Sequence, residues 1–188
     1  MTMSNVDKET IQIFCEHCDW AHQCWLMRKY LYDENPEQRL LRLPSHSYFF
    51  NRLEKILQEY WMLEVVKLHD PAKQFGSINL SIDHVLDHGN WTPEVQSKLE
   101  SLKKTMKVFV SKIKPARNKL LSHKDKNTIL SSKTLGEFDE GEDIAYFEAL
   151  YEFANEVHIV VVGSLFLFDD LTKNDVEHFM STFSRGNA

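Results

Sequence analysis

Arg117, Asn118 and His123 are the residues of this chain whose types and spacing fit a reaction. Arginine offers a planar, permanently charged fork that matches phosphate oxygens. Histidine titrates near neutral pH and can serve as base or acid. Asparagine can orient a phosphate or hold one imidazole tautomer. Cleaving RNA by attack of its own 2′-hydroxyl needs a base for that hydroxyl, an acid for the leaving oxygen and a cation for the charge developing on phosphorus. That chemistry requires no metal, which suits a segment without clustered carboxylates, and no cofactor is expected.

The charge around these residues supports a phosphate-bearing ligand. Between Lys103 and Lys126 there are nine basic residues, namely Lys103, Lys104, Lys107, Lys112, Lys114, Arg117, Lys119, Lys124 and Lys126, and only Asp125 opposes them. The segment therefore carries +8 within a chain of net charge −6, leaving −14 for the remainder. A basic stripe on an acidic protein focuses phosphate onto one place while the rest of the surface discourages indiscriminate binding. Lys112, Lys114, Lys119, Lys124 and Lys126 flank the triad and are the candidate RNA contacts. The plainer alternative is a solvated helix face, with Arg117 paired to an acid such as Asp70 and His123 ending a helix near its negative pole.

Helices must position these groups. Ile11, Phe14, Cys18, Trp25 and Leu26 recur at helical spacing between about Val6 and Tyr32, ahead of Pro36. A second helix is expected over Ser47–His69, with Phe50, Leu53, Leu57, Tyr60 and Leu63 on its apolar face and Pro71 beyond its end. A looser region around Gln74-Phe75-Gly76-Ser77 precedes a brief helix over Ser81–Asp87. Thr92-Pro93-Glu94 signals a strong helix start, with Thr92 as N-cap and Pro93 where its missing N–H costs nothing. Val95, Leu99, Leu102, Met106, Phe109 and Ile113 then line a long helix until Pro115, which must bend or restart it just before Arg117. Lys124 to Glu142 reads as a surface connection. Ile144, Phe147, Leu150, Tyr151 and Ala154 keep a helical period. The Val-Ile run from Val157 has strand composition, but no second convincing strand exists to pair with it, so helix is the better reading. Thr172-Lys173-Asn174-Asp175 resembles a capping box opening a last helix to about Phe183.

Other constellations carry less. Cys15, Cys18 and His22 stand at i, i+3 and i+7, but three ligands on one helix fall short of the four that a structural zinc normally takes. A buried core stripe is the better account, since free cysteine is commonly buried. Glu148, Glu152 and Glu156 form an acidic ridge on a solvated helix face. Neither a phosphate-cradling glycine loop nor a serine nucleophile elbow is present, so nucleotide hydrolases and esterases lack support.

At 188 residues, 43% of them hydrophobic and 27% charged, the chain has the composition of a folded globular protein. No repeat or linker divides it, so residues 1–188 are expected to form one domain. The longest apolar stretch, Val157 to Phe168, is interrupted by His158, Gly163 and Ser164 and is too short for a membrane span. Three cysteines, an odd count, suit reduced thiols, and the first residues carry no secretion signal. A cytoplasmic location and no membrane partner follow as expectations.

The segment Ala116-Arg117-Asn118-Lys119-Leu120-Leu121-Ser122-His123-Lys124-Asp125 resembles the HEPN superfamily of helical ribonucleases and toxins, whose signature is Arg, a polar residue and a His after four to six intervening positions. Lys67-Leu68-His69-Asp70 and Asn79-Leu80-Ser81-Ile82 extend the similarity to its abortive-infection, Abi-U-like branch. The resemblance implies an all-α, HEPN-like bundle of about five or six helices. It also implies a metal-independent endoribonuclease of the toxin and abortive-infection type, with His123 as acid/base, Arg117 as phosphate stabiliser and Asn118 as orienting residue. On one ideal helix Arg117 and His123 lie about 600° apart and do not stack, and such proteins bring two motifs together across a symmetric dimer. A homodimer, an RNA substrate and an antitoxin protein are therefore the implied partners. The rival reading is a non-catalytic helical module that binds nucleotide, RNA or a protein through the same surface.

Overall fold

The computed structural model describes residues 6–116 and 137–186. Six α-helices dominate them: α1 Lys8–Arg28, α2 Ser47–Leu68, α3 Ile82–His88, α4 Pro93–Ala116, α5 Glu142–Val161 and α6 Leu171–Gly186. The architecture is the all-α bundle expected from the spacing of apolar residues. The helix starts follow local chemistry. Asp7 accepts from the Thr10 N–H at 2.8 Å to cap α1, and Ser81 accepts from the His84 N–H at 3.3 Å to cap α3. Thr92 accepts from the Val95 N–H at 3.4 Å, with Pro93 as the first residue of α4. At α6 the helix begins one residue before Thr172, and it is Asp169 whose carboxylate accepts from the Leu171 N–H at 2.7 Å.

The core lies between α1, α2, α4 and α5. Ile11, Phe14, Cys15, Cys18, Trp61, Val65, Leu99, Met106, Phe109, Ile113, Tyr146, Leu150 and Phe153 are buried in one cluster. Trp61 stacks on Phe109 with ring centroids 5.9 Å apart, and Phe138 closes edge-on against both. The Val-Ile run is helical: α5 continues to Val161, burying Val157 and His158. Its end is reversed at Gly163, whose φ of +97° suits glycine, and His158 Nδ1 lies 2.7 Å from the Ser164 carbonyl oxygen to hold the turn.

The apolar face of α2 differs from its sequence reading. Phe50 is buried, but the deepest residues are Trp61, Val65, Val66 and Leu68, and Tyr60 is exposed. The two halves of α2 serve different neighbours. Phe50, Leu53 and Leu57 pack with Met180, Val176 and Phe183 of α6 in a second, smaller cluster, whereas the C-terminal half enters the main core. One stripe cannot satisfy both. The looser region after α2 contains a hairpin: Lys73–Gln74 pairs antiparallel with Ser77–Ile78 across a Phe75-Gly76 turn with φ values of +49° and +87°.

Candidate nucleic-acid interface

α4 carries the basic stripe toward the motif. Its buried side, Leu99, Met106, Phe109, Val110, Ile113 and Ala116, anchors it on α5 and the core, with Lys104 and Lys107 exposed and Lys103, Lys112 and Lys114 half-buried. Pro115 lies in its last turn. Arg117, Asn118, Lys119, His123, Lys124 and Lys126 lie outside the described residues.

The lysines of α4 are not equivalent. Lys112, expected to contact RNA, donates to Glu142 Oε1 at 2.7 Å and to Asp139 Oδ2 at 2.9 Å. These hydrogen bonds, to Asp139 first, raise the ammonium pKa, and the same lysine lowers that of Asp139. Lys112 thus ties α4 to the start of α5, and it reaches a phosphate only by exchanging those carboxylates. Lys103 pairs with Asp83 of α3 at 2.7 Å. Lys104, Lys107 and Lys114 have no acidic partner among the described residues. They form the part of the stripe open to an anion.

The upstream segment meets α4 in space. His69, at the C-terminal end of α2, is partly buried with Nε2 3.2 Å from the Tyr146 hydroxyl, inside electrostatic reach of Asp83, Lys114 and Lys103. Burial dominates and drives its pKa down to about 3, so the ring is neutral. A neutral imidazole locked against a buried tyrosine fixes the end of α2 beside the last turns of α4. Asn79, from the second matched segment, donates through Nδ2 to the Pro71 carbonyl oxygen at 2.8 Å and closes the connection from α2 to α3. His69 therefore lies within electrostatic reach of Lys114 near the end of α4, whereas Asn79 acts within the α2–α3 connection. Periodicity could not show this, because His69 and Lys114 lie on different helices.

The cysteines belong to the core, as the stripe suggested. Cys15, Cys18 and Cys24 are all buried. Desolvation pushes Cys15 and Cys24 up to about 12 and Cys18 well above the ordinary thiol value. These thiols act as small apolar side chains. In the acidic ridge Glu156 is bound to Lys98, while Glu148 and Glu152 are exposed.

No helix among the described residues is long and apolar enough to cross a membrane. No curated protein and no solved structure matches the chain. The AbiU2 family model, a HEPN model, matches residues 3–180, which takes in every helix described here except the end of α6. With its helical bundle, its Arg-polar-His motif directly after a basic helix and a match that covers nearly the whole chain, this protein belongs to the AbiU2 family of HEPN proteins.

Proposed function

We propose that the chain is a metal-independent endoribonuclease of the HEPN toxin type, acting in abortive infection. The observation that carries the reading is the coincidence of family membership with the unbroken Arg117-Asn118…His123 motif at the end of a basic helix. His123 serves as acid/base for attack of the 2′-hydroxyl and departure of the 5′-oxygen, Arg117 stabilises the charge on phosphorus, and Asn118 orients the phosphate. Lys114, Lys119, Lys124 and Lys126 hold the flanking phosphates, joined by Lys112 when its carboxylate partners release it. A homodimer brings two copies of the motif to one cleft, and an antitoxin protein restrains it.

The test is incubation of the wild-type protein and a His123→Ala variant with total RNA in excess chelator. Cleavage by the wild type alone, leaving 2′,3′-cyclic phosphate ends, is the expected result. Cleavage that survives in the variant would remove His123 from the mechanism, and no cleavage by either would favour a binding module.

A further inference from the structure

A cleft of about 560 Å³ opens where the C-terminal half of α1, the N-terminal half of α5 and the start of α6 meet. Its walls are aromatic: Trp25, Tyr30, Phe147, Tyr151 and Phe168. Ile144 and Tyr151 share the helical stripe that carries Phe147 and Leu150 into the core, yet they remain 40% and 37% exposed, because at this point none of the described residues covers the stripe. His22 stands among the rings of Phe168, Phe147 and Trp25, with centroids 5.3, 5.4 and 5.6 Å away. Its Nδ1 is buried without a hydrogen-bond partner, and burial, assisted by Lys29, lowers the imidazole to about 4 and keeps it neutral.

Charged groups lie among these rings. The Lys29 ammonium lies 4.5 Å from the centre of the Trp25 ring and that of Lys173 lies 5.7 Å from the Tyr30 ring. Each has only a partly exposed acidic neighbour, Glu34 at 3.1 Å and Glu177 at 4.0 Å, and such pairs exchange readily for another anion. Glu148 and Asp170 line the same cleft and can accept from amino groups. Flat apolar faces together with two ammonium groups and two carboxylates match a nucleotide: a planar base with exocyclic amino groups and a phosphate attached. The cleft is also close to the basic helix. Glu142 binds Lys112 of α4, and the next residue, Asp143, accepts from the Trp25 Nε1–H at 2.9 Å.

We propose that this cleft is a base-binding subsite for single-stranded RNA, in which an unpaired base stacks on Tyr151 within the aromatic wall and its phosphate meets Lys29 and Lys173. The identity of the strand rests on the ribonuclease reading above. A duplex cannot enter, since its bases are stacked and paired, so the subsite selects single strands.

Binding is read by fluorescence anisotropy in the His123→Ala background, so that cleavage does not interfere. The probes are a labelled oligoadenylate of about a dozen nucleotides and the same strand paired with oligouridylate. Tyr151→Ala and Lys173→Glu each weaken binding of the single strand by about tenfold, within the range for loss of one base–aromatic stack, and change duplex binding by less than about twofold. Tyr151→Phe retains the ring and restores affinity, which separates stacking from damage to the fold, and the exposed Lys173 gives a second variant that spares the core. Unchanged affinity in both variants, equal weakening of both probes, or no binding of the single strand by the background protein would each overturn the subsite. The ribonuclease reading fails differently: if neither the wild type nor His123→Ala cleaves RNA while single-strand affinity still depends on Tyr151 and Lys173, the subsite stands without it.

Discussion

His69 shows how one side chain links position to pH. Its partial burial against Tyr146 lowers its pKa from about 6.5 in the unfolded chain to about 3 in the folded protein. Between those values the unfolded chain binds the additional proton, so stability is fully present above about pH 6.5 and shrinks as the pH falls toward 3. The neutral His22, at about 4, acts in the same direction. Each contributes a slope of up to about 1.4 kcal/mol per pH unit. In urea unfolding at pH 7 and pH 5, His69→Gln should therefore lose less stability on acidification than the wild type, with His22 leaving a residual slope. Equal losses in both proteins would show that His69 is already protonated in the fold. The Lys67-Leu68-His69-Asp70 segment stood out in the sequence, but its link to Tyr146, 77 positions away, did not.

At the scale of elements, α2 brings the largest fully buried side chain to the core. Its Trp61 is fully buried, touching Phe109, Phe138 and Phe147 from two other segments of the core. Trp61→Ala should cost about 3–5 kcal/mol through lost burial and the cavity left behind, measured as a reduced chemical-denaturation free energy. A loss below about 1 kcal/mol would mean that the core collapses into the space. Periodicity read α1 and α4 correctly, because each turns one stripe to the core over its whole length: Ile11, Phe14, Cys18, Trp25 and Leu26 are buried in α1, and Leu99, Met106, Phe109 and Ile113 in α4. It misread part of α2, which divides its length between two clusters; α5 is the helix its period indicates, and Ile144 and Tyr151 on its stripe line a cleft.

Across the whole molecule, the dominant feature is charge polarity. Nine basic residues between Lys103 and Lys126 stand against an otherwise acidic chain. If that stripe holds single-stranded RNA as proposed, binding releases counterions and log affinity should fall linearly with log salt at about 0.7 per phosphate neutralised. Lys114→Gln removes a cation without an acidic partner among the described residues and should reduce the slope by about that amount, while Lys112→Gln should change it less, because Lys112 already serves Asp139 and Glu142. A salt-independent affinity would refute binding by the stripe. Equal effects of the two substitutions would mean that RNA displaces the carboxylates.

The sequence alone determined what local physics controls. Apolar spacing, the cap at Thr92 and the proline joints give the helices and their order, and residue type with spacing gives the Arg117-Asn118…His123 motif. Those signals act within a few turns of chain. Tertiary structure alone decided which lysines of the stripe are already neutralised, that His69 meets Tyr146 beside α4, and that residues of α1, α5 and α6 enclose an aromatic cleft. Ion pairs and clefts arise from groups far apart in sequence, brought together by how whole helices pack, and no periodicity within one helix encodes that pairing.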